Sequence, residues 1–248
     1  MVAFFLRIWN DIWNFILNIL FPLECLGCEK DGKPLCDSCR LSIRNVAGQV
    51  CGFCYKMSDG GFTCINCKRR GVFLDGLLVM QNYDLCPLLA KAIHSFKYDF
   101  LHELAKPLAL ELQAFFLKEF QASYYDGFWE AEIVFCPIPL FHRRQQTRGF
   151  NQSSLLLQYF KDFPVQELLT RVHFHRPQKE LNKSERAKNI LGAFEVTNLA
   201  REFYEPGKAF VILVDDVATT LATLEEAAKA LKKAGFPLVT SLVLARKY

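Results

Sequence analysis

Hydrophobic positions fall into three regimes along the chain. Over residues 1–21, MVAFFLRIWNDIWNFILNILF, the polar residues Arg7, Asn10, Asp11, Asn14 and Asn18 recur at spacings of three, one, three and four. On a helix they form one narrow polar stripe and leave an aromatic and aliphatic face. Residues 22–70 are poor in large apolar side chains. From residue 72 onward, apolar runs suited to buried strands alternate with segments of helical period. The pattern predicts strand in 71–83, helices over 87–96 and 102–120, and a strand over 132–136 ended by Pro137 and Pro139. A helix over 150–160 and a helical turn over 184–190 follow. Then come a strand over 209–214, a helix over 223–234 stopped by Gly235, and a last strand over 238–245. This order predicts an α/β fold with a mainly parallel sheet and helices on both faces. No internal repeat shows. Three parts result: an amphipathic helix (1–21), a Cys-rich module (22–70) and an α/β domain (71–248).

The first helix carries too much apolar surface to leave in water, yet five polar side chains and Pro22 make it a poor bilayer span. An interfacial helix at a membrane surface, with Trp9 and Trp13 at the boundary, fits better; the competing reading is a helix packed on its own protein or a partner. Net charge changes the picture only locally. The 248 residues sum to +4, but residues 141–190 hold ten Lys or Arg against four Asp or Glu. Such a stretch suits a diphosphate, a nucleic acid or an anionic membrane, or else it is a solvated face.

Eight of the ten cysteines come as C-x-x-C pairs: Cys25/Cys28, Cys36/Cys39, Cys51/Cys54 and Cys64/Cys67. Four such knuckles supply two tetrahedral thiolate sites for structural Zn²⁺. Disulfides are the alternative. The apolar amino terminus has a single basic residue, Arg7, and no small-residue cleavage site, so reduced thiols binding one or two zinc ions are preferred. Pairing in sequence order is favoured because the intervening segments of seven and nine residues can fold back; an interleaved pairing is the alternative. The module is read as scaffolding, since a segment with so little core needs metal. Cys86 and Cys136 read as buried small apolar residues.

The run VILVDDVATTLATL, residues 211–224, carries the most chemistry. A buried strand ending at Val214 places Asp215 and Asp216 at its carboxyl end, where open α/β sheets bind ligands. Ala218, Thr219, Thr220, Leu221, Ala222 and Thr223 would then wrap an anion, using free backbone N–H groups, hydroxyls and the positive end of the next helix. The paired acids suit sugar hydroxyls or a magnesium-bound diphosphate. The segment resembles the phosphoribosyl diphosphate (PRPP) loop of the type I phosphoribosyltransferases. Leu221 departs from it, standing where that family places glycine. In a left-handed turn leucine costs roughly 1–2 kcal/mol.

Further segments agree with one family. The eight-cysteine amino terminus, HSFKYDF (94–100), CPIPLFHRRQQTRGFNQSSLL (136–156), PQKELNKSERAKNILGAFEV (177–196) and the acidic run occur in that order. Over residues 22–248 they resemble the ComF family of competence proteins, ComFC-type: phosphoribosyltransferase-like proteins required for DNA uptake in naturally transformable bacteria. The resemblance implies a type I phosphoribosyltransferase-like fold, PRPP with Mg²⁺ as ligand, and single-stranded DNA and DNA-uptake and recombination proteins as partners. It also implies a cytoplasmic location, peripheral to the inner membrane. Positions 137–144 and 148–152 match the segments holding the diphosphate, so Arg143, Arg144 and Arg148 are candidate ligands for it, with Lys97 a second kind of candidate. Arg186 and Asn189 would close over the site or face DNA. If catalysis occurs, Asp215 and Asp216 hold the ribose and stabilise a cation-like transition state while Mg²⁺ neutralises the leaving group.

Three functions compete. The first is a PRPP-binding protein of DNA import that contacts single-stranded DNA, with Tyr98 or Phe150 stacking on bases. The second is an active phosphoribosyltransferase whose acceptor the residues do not identify. The third is a non-catalytic zinc-containing adaptor with a relic pocket. No G-x-x-x-x-G-K-[ST] phosphate loop is present for nucleotide-driven transport.

Overall fold

The apolar run before the paired aspartates forms an interior strand of the sheet. In the computed structural model, which describes residues 23–44, 48–122, 132–141, 146–172, 190–198, 200 and 208–248, Ala209–Ala218 forms strand β5. Its flanking strands are β6 (Leu238–Arg246) on one side and β2 (Glu132–Pro137) on the other, and β1 (Gly76–Asn82) lies beyond β6. All three pairings are parallel, in the order β1-β6-β5-β2. Strands buried on both faces need unbroken apolar sequence, which residues 210–214 supply.

Two apolar layers cover the sheet. On one face lie α3 (Pro87–Tyr98), α4 (Ala105–Ala122, preceded by a 3₁₀ turn at His102–Leu104) and α5 (Gln152–Leu157), whose Phe96, Leu108, Phe116 and Leu156 are buried against Phe210, Ile212 and Val214. The other face is covered by α6 (Ala222–Lys233) and a two-stranded hairpin of β3 (Leu169–Arg171) and β4 (Phe194–Val196). Helices on both faces and a parallel sheet agree with the sequence pattern. One boundary does not: β5 runs on past Val214 to Ala218, because Asp215, Val217 and Ala218 keep pairing with Val243, Ala245 and Arg246 of β6. Hydrogen bonding to β6, which continues to Arg246, extends the strand beyond its apolar segment.

The Cys-rich module closes the open edge of the sheet. It carries α1 (Asp37–Ser42) and α2 (Ile65–Lys68) and hands over to the domain at Gly71. Edge strand β1 would expose unpaired N–H and C=O groups. Instead, the buried Gln49 side chain takes both groups of Val79, accepting from its N–H at 3.0 Å and donating to its carbonyl at 3.4 Å. Gly61, at φ 67°, lies so close that an added Cβ would stand 2.3 Å from the Leu77 carbonyl oxygen. Farther along, the buried Glu111 of α4 accepts from Arg40 of α1 and from Arg44 Nε at 2.5 Å.

The module is internally repeated, contrary to the sequence reading. Bridges Glu24↔Asp31 and Val50↔Met57 open its two halves, and the turns close identically, Glu29 N–H to Cys25 O and Tyr55 N–H to Cys51 O. Glu29 and Tyr55 share a left-handed φ near 60°. Each half then starts a short helix at a cysteine N-cap, Cys36 or Cys64. The copies share cysteines and backbone shape but little else, so residue-by-residue similarity is too weak to see. The expected helix over 1–21 and the turn over 184–190 fall outside the described residues, apart from Ile190. Among the described residues no helix is long and apolar enough to cross a membrane.

Gly61→Ala is expected to destabilise the protein by at least about 2 kcal/mol, through left-handed strain plus displacement of β1 from the module. Chemical denaturation monitored by circular dichroism checks this.

Candidate functional site

The two acids leave the sheet edge in different environments. Asp216 is buried, and its Oδ1 pairs with Lys97 Nζ at 2.8 Å, from the last turn of α3. Asp215 is half-buried; its Oδ1 accepts from the Asp216 N–H at 2.9 Å and from Ser153 Oγ, on α5, at 3.3 Å. Desolvation pushes the Asp215 carboxyl up to about 7, with the Asp216 charge adding to it, and Lys97, the Asp216 N–H and Ser153 oppose the rise only in part. One acid is therefore paired with a lysine. Its neighbour changes charge near neutrality.

Past Ala218 the chain makes a tight exposed bend at Thr219 and Thr220 and enters α6 through Leu221, its N-cap. Leu221 has φ 61° and ψ −4°, the left-handed conformation that the sequence reading attached to this position. Its side chain is buried and packs beside Gly52 of the module, which offsets the strain. No side chain caps the helix, so the first-turn N–H groups point to the bend without a side-chain acceptor. Ala218 thus belongs to the strand and Ala222 and Thr223 to the helix, leaving residues 219–221 as the turn proper. Glu225, one turn in, accepts from the Phe73 and Leu74 N–H groups at 2.6 and 3.0 Å and locks the helix to the start of the domain.

Side chains from the loop after β2 converge on the same end of the sheet. Asn151 caps α5 by accepting from Ser153 N–H at 3.0 Å, and its Nδ2 donates to the Ile138 carbonyl at 3.0 Å. Arg148 donates to Gln152 Oε1 at 3.3 Å and to the Tyr98 hydroxyl at 3.4 Å, with its guanidinium 5.2 Å from the Tyr98 ring centre. The Gln152 side chain is buried and its Nε2 has no partner. Lys97, Arg148, Asp215 and Asp216 thus come together as the sequence suggested. Arg143, Arg144, Arg186 and Asn189 lie outside the described residues. Of the two aromatics, Tyr98 is exposed, whereas Phe150 packs on Phe96 and His102 with ring centres 5.6 and 4.1 Å away and belongs to the core. Ser153 was missed by sequence reasoning; the Asn-Gln-Ser-Ser start of α5, an N-cap pattern, is the signal that could have drawn attention to it.

The cysteines sort in sequence order, Cys25/Cys28/Cys36/Cys39 and Cys51/Cys54/Cys64/Cys67, with the four sulfurs of each set within 4.8 Å of one another. Sulfurs of Cys28 and Cys36 stand 3.6 Å apart, and those of Cys54 and Cys64 3.5 Å. A tetrahedron with Zn–S bonds of about 2.3 Å needs edges of about 3.8 Å, so both sets fit zinc. Backbone N–H groups already solvate one sulfur of each set, Cys36 N–H to Cys25 Sγ at 3.3 Å and Cys64 N–H to Cys51 Sγ at 3.5 Å. Burial pushes these two thiols up, but such N–H bonds outweigh it and bring both down to about 6. Four thiolates leave no open position, so both sites are structural. Cys136 is buried as expected, and Cys86 is half-buried.

An α/β domain with a four-stranded parallel sheet, joined to a module whose two four-cysteine sets fit zinc, is the class this fold and site define. Comparisons with known proteins narrow it. The chain is 30% identical to competence protein F of Haemophilus influenzae over 91% of its own length and 98% of that protein. It is 28% identical to competence protein ComFC of Bacillus subtilis, over 83% and 81% of the two chains, and 27% identical to the DNA utilization protein YhgH of Escherichia coli, over 90% and 88%. The chain belongs to the ComF family of competence proteins. No family model matches it. The solved structure of an allosteric regulatory enzyme of purine biosynthesis superposes on 57% of this chain and 25% of that one at 17% identity, with a TM-score of 0.33, too slight a likeness to carry weight.

The raised Asp215 carboxyl gives a signed expectation. Its folded value of about 7 exceeds the unfolded value of about 3.9, so the folded state binds this proton more tightly and stability falls as pH rises between the two. Asp215→Asn removes that penalty. The variant is expected to match the parent near pH 4 and to exceed it by on the order of 2 kcal/mol above pH 7, measured by urea denaturation across pH.

Proposed function

We propose that the protein binds PRPP with Mg²⁺ at the end of β5 and handles single-stranded DNA during DNA uptake in natural transformation. The observation that carries this reading is the left-handed turn at Leu221, which presents the uncapped start of α6 directly after paired acids at the carboxyl end of an interior parallel strand. In the proposed complex the 5′-phosphate rests on residues 219–223, where N–H groups and hydroxyls converge. The ribose hydroxyls meet Asp215 and Asp216. Lys97 and Arg148 face the diphosphate, whose Mg²⁺ takes carboxylate and water ligands. Because Lys97 now neutralises Asp216, arrival of a magnesium diphosphate exchanges one ion pair for another and lowers the cost of freeing the lysine. The relatives' printed names, competence protein and DNA utilization protein, support the cellular role.

An active phosphoribosyltransferase is the second reading, and one observation favours it: the Asp215 carboxyl, raised to about 7 and donated to by Ser153, lies beside the lysine-paired Asp216 and can take up or release a proton during turnover. Diphosphate release that depends on an added acceptor would distinguish it from binding alone.

Calorimetric titration of PRPP with Mg²⁺ tests the pocket. Saturable binding is expected, weakened at least about tenfold by Asp215→Asn with Asp216→Asn. Expulsion of the Asp215 proton should also make the enthalpy at pH 7 depend on buffer, by about half a proton per site. Absence of binding in the parent protein would remove the PRPP reading.

DNA contact has its own measurement. Affinity for single-stranded DNA should fall steeply with salt, and replacing Arg143 and Arg144 by alanine should flatten the slope in log–log form by about 1.4 for two lost phosphate contacts. An affinity indifferent to salt would argue against backbone tracking.

A further inference from the structure

Arg246 is the largest fully buried side chain, 2% exposed, and among the described residues it forms no ion pair. A buried guanidinium without a carboxylate is costly, so its surroundings must supply the missing charge. Nη2 donates to the Gly52 carbonyl at 2.6 Å, and the guanidinium carbon lies 4.5 Å from the Tyr55 ring centre and 5.1 Å from that of Tyr248. Nε and Nη1 have no partner. Gly52 and Tyr55 directly follow Cys51 and Cys54, two cysteines of the second four-cysteine set. Four thiolates around one Zn²⁺ carry a formal charge of −2, so the filled knuckle is the anion this cation faces.

The same residue reaches the phosphate loop from the other side. Arg246 stands opposite Ala218 in the β5–β6 register, and the next residue, Lys247, donates its N–H to the Ala218 carbonyl at 3.0 Å. At the far end of the loop, Leu221 seats its side chain on Gly52, where an added Cβ would stand 3.1 Å from Leu221 Cδ1. Both ends of the turn are therefore fastened to one knuckle.

We propose that Arg246 and Leu221 are positioning residues that clamp the phosphate loop to the second four-cysteine knuckle, so that metal at Cys51, Cys54, Cys64 and Cys67 and an anion on residues 219–223 stabilise each other. The anion half rests on the PRPP reading given above. Coupling of this kind is reciprocal: what the metal does for the loop, a loop ligand does for the metal. The first knuckle docks on α4 through Arg40, Arg44 and Glu111, away from the loop, and serves as an internal control.

Zinc transfer from the full chain to a chromogenic chelator reads the coupling. Two equivalents per chain are expected, and PRPP with Mg²⁺ should slow release of one by at least about fivefold while leaving the other unchanged. Arg246→Met and Leu221→Gly should each abolish that selectivity. PRPP that binds by calorimetry but slows neither zinc, or both equally, would overturn the clamp while the pocket stands. A second measurement needs no PRPP: hydrogen exchange by mass spectrometry on the zinc-loaded variants. Faster exchange is expected at both 218–224 and 51–56, with 209–214 unchanged. A rise in one segment alone, in neither, or equally across 209–214 counts against the clamp, and this comparison decides the matter if PRPP does not bind.

Discussion

A parallel sheet cannot leave an edge strand bare, and here the closing element is a small module held together by metal. The hydrogen bonds that Gln49 gives Val79 and the close approach of Gly61 to Leu77 work only if the Cys-rich segment keeps its shape. That segment has little apolar interior of its own, so its shape depends on the thiolate sites. A hierarchy results. The thiolate sites fix the module, the module completes β1, and β1 with β6 sets the register in which β5 carries its acids past the apolar core.

The acids show how position rather than composition assigns roles. Asp215 and Asp216 are chemically equal and adjacent, yet alternation along a strand sends their side chains to opposite sides. One meets a lysine from α3, whereas the other meets a hydroxyl from α5 and a neighbouring carboxylate, and its carboxyl is raised to about 7. A pair split in this way can hold a cation tightly when a second positive charge arrives and yet remain neutral enough to tolerate the sheet edge when none is present. Lys97 is the pivot, since its ion pair is the contact that a bound magnesium diphosphate would rearrange.

Much of this was legible in the sequence because it rests on local pattern. The apolar run before Asp215 announced the strand, the C-x-x-C spacing announced the thiolate sets in their correct order, and Leu221 could be matched to a left-handed site before its φ was known. What the sequence hid depends on partners far along the chain. Nothing near Arg246 indicates that its acceptor is Gly52, nothing near Glu111 indicates that it receives Arg40 and Arg44, and Ser153 becomes relevant only when α5 is laid beside β5. The end of β5 was misplaced for a related reason. Aspartates read as a strand terminus, but β6 continues and its backbone groups draw Asp215 to Ala218 into the ladder.

The doubled architecture of the module has a consequence for how the chain reaches its native state. Two near-identical turns present four interchangeable pairs of thiols to the first metal ion that arrives. Joining Cys28 to Cys36 closes a much shorter loop than joining Cys28 to Cys51, but the logarithmic dependence of closure entropy makes that advantage only about 1 kcal/mol. Local chain entropy therefore gives a weak bias against a crossed, misassembled module. The stronger discrimination comes from what each half docks on, Glu111 for the first and the open edge of β1 for the second, so the α/β domain favours the module whose thiols are paired within each half.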